Sequence, residues 1–149
     1  MQLTRFTDLG LRVLMYLARV EREDPVTNQE IADQFQVPHN HVIKVVHKLA
    51  KLGWVDTQRG RNGGLRLGIA PSALRVGRVL RALEGDAPLI NCHEPPCVLR
   101  AGCLAKGALD AALDAFYAKL DEYTLADVTG QRTGAQLLTL HRKFVSARG

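Results

Sequence analysis

The chain has few aromatic residues, few cysteines and no long apolar run. Phe, Trp and Tyr make up 5% of its 149 residues, too few for the stacked platforms that hold single-stranded nucleic acid. Three cysteines is an odd count, which argues against a closed disulfide framework. Near the start the longest clearly apolar stretch is Val13 to Ala18, far short of the roughly 18 residues a membrane span needs. Asp8 and Arg12 interrupt what could have been a signal-peptide core, so no export signal is expected. The expected setting is the cytoplasm, away from membranes, where thiols stay reduced.

What is present suits a folded chain. Hydrophobic residues are 46% and charged residues 23%, a globular balance rather than a disordered one. A chain of this length buries about 68–70% of its unfolded surface. One domain, or one small domain with a dimerising extension, is expected. Lys and Arg number 20 against 15 Asp and Glu, a net charge of +5. That sign favours an anionic partner, nucleic acid first.

The charge is local. Residues 1–85 hold 13 basic and 8 acidic side chains, and residues 86–149 hold 7 of each. Within His39 to Arg66 stand Lys44, Lys48, Lys51, Arg59, Arg61 and Arg66 against Asp56 alone, with His39, His41 and His47 beside them. Such a cluster can be a solvated surface, so the order of elements around it decides its meaning.

Phe6, Leu9, Val13, Leu17 and Val20 recur at three- and four-residue steps and predict an amphipathic helix over 4–20. Glu21 to Pro25 is a polar turn. Thr27-Asn-Gln-Glu30 has the form of a capping box and opens a short helix with Ile31, Ala32 and Phe35 inward. Gln36-Val37-Pro38 breaks it. A second helix is predicted from Pro38 to Leu52, with Val42, Val45 or Val46, Leu49 and Leu52 inward and His41, Lys44, Lys48 and Lys51 opposite. Gly53 ends it. Trp54 to Gln58 and Leu65 to Ile69 read as paired strands around a basic turn, Arg59-Gly-Arg-Asn-Gly-Gly64, with Asn62-Gly63 as the hairpin signal. Ala73 to Leu83 is a further helix. Cys103 to Tyr123 is a long one, with Leu104, Ala108, Ala111 or Ala112, Ala115, Phe116 and Leu120 in one apolar stripe. Thr124 to Asp127 begins a short turn or helix. The tail from Thr129 is mixed, moderately helical over Ala135 to Val145, and carries no motif.

Helix, short turn, cationic helix and basic hairpin together make a winged helix-turn-helix. The predicted fold class is mainly α with a small β-hairpin, plus a long dimerisation helix. The expected units are residues 1–85 for DNA binding, 86–103 for a metal-binding loop, 104–128 for dimerisation and 129–149 as a tail. A helix of this kind fits the major groove. Lys44, Lys48 and Lys51 are expected to meet phosphates or guanine edges, with His39, Asn40 and His41 at the end where bases are read. Asn28 and Gln29, at the start of the first helix of the pair, join the DNA-binding set. Arg59 and Arg61 on the wing would follow the backbone or enter the minor groove.

The three cysteines fall within twelve residues, Cys92-His-Glu-Pro-Pro-Cys97-Val-Leu-Arg-Ala-Gly-Cys103. No periodic apolar set on this Pro- and Gly-rich loop would bury them, so one metal centre is the favoured reading. Thiolates suit zinc or an iron–sulfur cluster, and with three of them the fourth ligand must come from elsewhere. His93 adjoins Cys92, but neighbours in sequence rarely chelate one ion. The spacing matches no common CxxC zinc pattern. Arg100 and Lys106 would offset the charge of bound thiolates.

On four features the chain resembles the winged-helix iron–sulfur regulators. They are Leu3-Thr-Arg-Phe-Thr-Asp8, the wing Arg59-Gly-Arg-Asn-Gly-Gly-Leu-Arg66, the cysteine loop, and Leu120-Asp-Glu-Tyr-Thr-Leu-Ala-Asp127. The resemblance spans roughly residues 1 to 128. Within the family the chain is most similar to the nitric-oxide-sensitive repressors, through Asn91-Cys92 and the x4 and x5 spacing. Regulators of iron–sulfur cluster biogenesis carry a histidine ligand three residues past the third cysteine, and Lys106 stands there.

The resemblance implies a [4Fe–4S] cluster, or alternatively [2Fe–2S], held by Cys92, Cys97 and Cys103. It implies a carboxylate from the partner's first helix, at the position of Asp8, as fourth ligand. From the residues alone Asp8 reads as a surface or helix-start carboxylate. Also implied is a homodimeric repressor on double-stranded, A·T-rich inverted-repeat operator DNA. Nitric oxide at the cluster is the signal: nitrosylation frees the first helix and releases the DNA. The alternatives are a zinc-bound or thiol-oxidation-sensing winged-helix regulator, or a regulator of cluster biogenesis. A small redox enzyme is disfavoured, because the sequence has no CxxC, no Gly-rich phosphate loop after a strand and no paired carboxylates in a plausible cleft.

Overall fold

The computed structural model describes residues 2–85 and 87–149. Met1 and Asp86, the first residues of the expected DNA-binding unit and cysteine loop, lie outside the described residues. Seven α-helices and one hairpin follow in the order α1 (Arg5–Leu17), α2 (Asn28–Phe35), α3 (His39–Lys51), β1 (Val55–Gln58), β2 (Gly64–Leu67), α4 (Val76–Glu84), α5 (Leu104–Leu120), α6 (Leu125–Val128) and α7 (Gln131–Arg148). The fold is a winged helix-turn-helix followed by a long helix, as the order of elements predicts.

Helix α1 opens on Thr4, whose hydroxyl accepts the Thr7 amide at 3.2 Å, a standard N-cap. Its far end falls three residues short of the expected Val20. Ala18 closes it, and the Arg19 amide tightens onto the Tyr16 carbonyl. Its core-facing residues, Leu9, Val13, Leu14, Tyr16 and Leu17, are buried, and the helix packs against α3 and α4.

At α2 half of the expected capping box forms. Thr27 Oγ1 accepts the Glu30 amide at 3.0 Å, but the Glu30 side chain does not reach back. It turns inward, is 1% exposed, and accepts the Tyr16 hydroxyl at 2.7 Å and the Arg22 guanidinium. There the buried carboxylate is met by two strong donors, one of them charged. Gln36 closes α2 at φ +51°, and Pro38 opens α3. That left-handed turn sets the angle between the two helices.

The strands are four residues each, in antiparallel register from Val55↔Leu67 to Gln58↔Gly64. Trp54 precedes β1 rather than beginning it, and its carbonyl accepts the Gly68 amide at 2.9 Å. Val26 adds a bridge to Leu65, tying the wing to the start of α2. Two glycines make the turn possible. Gly60 has φ +108°, and a Cβ at Gly63 would lie 2.3 Å from the Gln58 carbonyl oxygen.

Helix α4 begins at Val76, not at Ala73. Pro71–Ala73 forms a separate 3-10 turn, because Leu74 and Arg75 are drawn into extended pairing with the segment before α6. The Leu125 amide donates to the Leu74 carbonyl at 2.8 Å, and the Val76 amide to the Tyr123 carbonyl at 2.9 Å. A long-range pairing here overrides local helix propensity.

Helix α5 is shorter than the expected Cys103–Tyr123, and its expected single stripe divides in two. Leu113, Phe116, Tyr117 and Leu120 pack on the core. Leu104, Ala108, Ala111, Ala112 and Ala115 are exposed. The tail is an eighteen-residue helix, α7, longer than the predicted stretch. It lies on α2 and buries Leu137 and His141. The His141 ring stacks on Tyr16 with centroids 3.8 Å apart.

Candidate nucleic-acid interface and candidate metal centre

Burial of Val42, Val45, Val46 and Leu49 fixes which way α3 faces. At 100° per residue the opposite side carries Asn40, Lys44, His47 and Lys51. All four are exposed, as are His39, His41 and Lys48. His41 and Lys48 lie on the flank toward α1 and α4. His41 and Lys44 border a cavity of about 240 Å³ with Arg5 and Phe6 of α1.

The other flank of α3 opens into a cleft of about 520 Å³. Asn28 of α2, Ile43 and His47 of α3, and Arg59 of the wing line it together. The fold therefore gathers two of the expected DNA-binding residues, Asn28 and Arg59, beside α3. Asn28 Oδ1 is buried without a hydrogen-bond partner among the described residues. Gln29 is exposed, but its amide donates to Asp33 Oδ1 at 2.8 Å. Arg61 is exposed at the wing tip. Arg66 is held to the Glu23 carbonyl, which fixes the wing to the turn before α2.

Ile43 and His47 were outside the expected DNA-binding set. Ile43 is 42% exposed, a large apolar side chain on an otherwise polar face. The signal was available: Ile43 lies about 100° from the centre of the buried valine stripe.

The cysteine loop is built of turns. The Cys97 amide donates to the Cys92 carbonyl and the Arg100 amide to the Cys97 carbonyl, each at 3.2 Å. Cys92 is buried, Cys97 exposed and Cys103 between the two, all as free thiols. Cys103 caps α5, and its sulfur accepts the Lys106 amide at 3.4 Å. Lys106 is the cation beside this helix start. Its ammonium is held above its ordinary range by the hydrogen bond to Asp110; desolvation opposes this, and the Asp110, Cys92 and Cys103 charges add to it. The His93 ring nitrogen lies 3.2 Å from Arg100 rather than turning to the thiols.

The donor set fits a thiolate-ligated cluster in kind: three sulfurs on one short loop with a cation beside two of them. It is not a preassembled shell. Among the described residues no three His, Cys, Asp or Glu side chains stand close enough to hold one metal ion. Asp8 is in the first turn of α1, half-exposed, and makes a two-pronged ion pair with Arg12. Arg12 Nε donates to Oδ1 at 3.0 Å, and Nη2 lies 2.9 Å from Oδ2. Within the chain, then, Asp8 and the thiols are not brought together.

Next to the loop lies uncovered apolar surface. Val98 is 96%, Leu99 66% and Leu104 89% exposed. They adjoin the exposed alanine face of α5. Isolated exposed hydrophobics need no explanation, but a contiguous run of them marks an interaction surface.

Residues 3–131 match the Rrf2 family, described as an iron-dependent transcriptional regulator. The chain is 44% identical over 131 residues to the HTH-type transcriptional regulator NsrR of Bacillus licheniformis, covering 86% of this chain and 92% of that protein. It is 40% identical over 146 residues to the regulator of the same name in Geobacillus kaustophilus, covering 96% and 99%. Among solved structures it is similar to CymR, the global cysteine regulator of B. subtilis, with a TM-score of 0.70 and 29% identity over 86% of this chain and 95% of that one. The fold is also that of IscR from T. potens, with a TM-score of 0.68 and 24% identity over 86% and 85%. None of the described helices is long and apolar enough to cross a membrane.

Proposed function

The chain belongs to the Rrf2 family of transcriptional regulators, and from that premise we propose that it is a homodimeric, operator-binding repressor that senses nitric oxide through an iron–sulfur cluster in the cytoplasm. The observation that carries the DNA-binding part is the free outer face of α3, Asn40, Lys44, His47 and Lys51, bordered by the Arg59 and Arg61 wing. A helix of that charge and width enters the major groove, and a two-fold pair places two such helices about 34 Å apart. Lys44 and Lys51 meet phosphates or guanine edges. His39, Asn40 and His41 stand at the base-reading end, with Asn28 and Gln29 across the helix-turn-helix. Lys48 lies on the flank.

The dimer forms through residues 104–128. The exposed Leu104, Ala108, Ala111 and Ala115 face permits close backbone approach, and Val98 and Leu99 extend it. Residues 86–103 hold the cluster through Cys92, Cys97 and Cys103, with the partner's first helix supplying the Asp8 carboxylate. When bound, a [4Fe–4S] cluster supplies an iron with one labile oxygen ligand, open to nitric oxide. The chain's own residues do the rest. Lys106 offsets the thiolate charge. Without a cluster to hold, Asp8 would have Arg12 of its own helix as partner. Because α1 packs on α3, a change in what holds α1 would reach the recognition helix and DNA affinity. Differential affinity of this kind is what a switch requires. The relatives named NsrR favour this reading over a redox enzyme.

The test is anaerobic reconstitution with iron and sulfide, read by absorption spectrum and metal content, then titration with nitric oxide. About four irons and four sulfides per protomer are expected, and two of each would select the [2Fe–2S] form. Zinc without sulfide would select the zinc-bound alternative and overturn the cluster. For the cross-subunit ligand, Asp8→Ala should lose cluster stability. A fully retained spectrum with an unchanged nitric-oxide response would refute that role.

A further inference from the structure

One cationic surface lies outside the wing and the outer face of α3. An open notch of about 750 Å³ separates the C-terminal half of α3 from α4, lined by Lys48, Arg75, Arg78, Arg81 and Asp121. Four cations face one carboxylate there. The Asp121 carboxylate sits among them and keeps its charge, its Oδ1 accepting the Arg78 amide at 2.7 Å. Arg81 has a distant partner, Asp114, at 3.7 Å. Among the described residues, Lys48, Arg75 and Arg78 form no ion pair.

The three arginines are held in place by interactions that do not themselves neutralise their charge. The Arg78 guanidinium lies over the Trp54 ring, 5.7 Å from its centroid. Arg81 lies over Tyr117 at 4.3 Å. Arg75 donates to the Asp121 carbonyl at 3.2 Å. Stacking on an aromatic face fixes a guanidinium without neutralising it. Four cations outnumber the nearby Asp121, Asp114 and Asp127 carboxylates, so the notch keeps a net positive charge that suits an anion arriving from outside.

Lys48 identifies which anion. It lines the notch and also belongs to α3, four residues after Lys44 on the flank toward α4. The notch is therefore continuous with the DNA-facing surface. A helix in the major groove has a phosphate strand on each side. On one side of α3 the cleft with Asn28 and Arg59 meets one strand. On the other, the adjoining surface is the notch.

We propose that the α4 notch seats backbone phosphates of the second strand, with Arg78 and Arg75 as the principal anchors and Lys48 joining them to the recognition helix. The inference rests on the DNA-binding reading above and extends the footprint beyond the helix and wing. Phosphate anchors of this kind position the protein and carry no sequence information. They therefore act on any duplex, whatever its sequence.

The test uses the cluster-reconstituted full chain, kept anaerobic, and a fluorescent duplex of mixed sequence, about four helical turns long, with anisotropy titrations across a salt series. Arg78→Gln is expected to flatten the slope of log K against log salt by about 0.9 for each phosphate it no longer neutralises. Arg78→Gln with Arg75→Gln is expected to flatten it by about twice that. Arg78→Lys keeps the charge and loses the planar stack, so it should restore most of the slope. That rescue separates phosphate neutralisation from packing on Trp54. An unchanged slope in both glutamine variants, with Lys44→Ala still weakening binding, overturns the notch and leaves the DNA-binding reading intact. A chain that binds no duplex at any salt overturns both. A flattened slope that Arg78→Lys fails to restore also overturns the proposal, because packing then accounts for the change.

Discussion

At the residue scale, the interior is organised as much by one buried carboxylate as by its valines. Glu30 joins α2 to Tyr16 of α1 and to Arg22, and His141 of α7 stacks on the same tyrosine. Burial holds the His141 imidazole below its ordinary range, and Arg22 pushes the same way, while the Tyr16 carbonyl, Glu30 and Glu21 work against it. Its Nε2 lies 2.9 Å from the Tyr16 carbonyl, and its Nδ1 has no hydrogen bond but lies 3.9 Å from Glu30 Oε1. The folded state thus binds its proton less readily than the unfolded chain, whose histidine titrates near about 6.5. Below that value the unfolded chain binds more protons, so stability falls as the solution is acidified. The contribution is fully present above about pH 6.5 and is lost as pH drops toward the depressed folded value. Thermal unfolding between about pH 7.5 and 5 should show this slope, and His141→Phe should flatten it. An equal slope in both proteins would assign the effect elsewhere. A second expectation concerns Thr27, whose hydroxyl caps α2. Thr27→Ala should cost about 1 kcal/mol in urea unfolding, and no loss would mean water replaces the cap.

At the element scale, the wing and α5 carry the sharpest expectations. Arg61→Ala removes one exposed cation from the wing tip and should lower the salt slope of DNA binding by about 0.9. An unaltered slope would remove Arg61 from the phosphate-binding set. Ala111→Glu with Ala115→Glu puts two charges on the exposed face of α5, away from the core. Sedimentation should then give a monomer with unchanged helical content, and a persistent dimer would place the interface elsewhere. The elements legible in the sequence were those whose burial follows one face. Helix α3 is the clearest case, because Val42, Val45, Val46 and Leu49 face a single core. Helix α5 was harder, since its two apolar faces have separate roles and one periodicity merges them. The start of α4 was hidden by pairing of Leu74 and Arg75 with the distant Tyr123–Leu125 segment. Helix α7 docks through Leu137 and His141 with Leu140 beside them, a stripe interrupted by a histidine and so hard to find by apolar periodicity. The cysteine loop was legible as a donor set, whereas its geometry was not, because turns and a single cap determine where each sulfur points.

At the scale of the whole molecule, the +5 charge is confined to one part of the chain. The recognition helix, the wing and α4 hold it, and residues 86–149 are neutral. Steering of DNA toward one surface follows, because a one-sided field orients the encounter. Association with duplex DNA should therefore slow markedly with added salt, as stopped-flow mixing would read. Salt-independent association would mean the field plays no part. Trp54 is the chain's only tryptophan, and it is 2% exposed beneath Arg78 at the junction of wing and α4. Its position makes it an intrinsic optical probe. An indole shielded from water but touching one guanidinium responds to the electric field that guanidinium experiences. If a phosphate seated in the notch draws that charge outward, the emission should change without any attached dye, and the protein would report occupancy of its own flank.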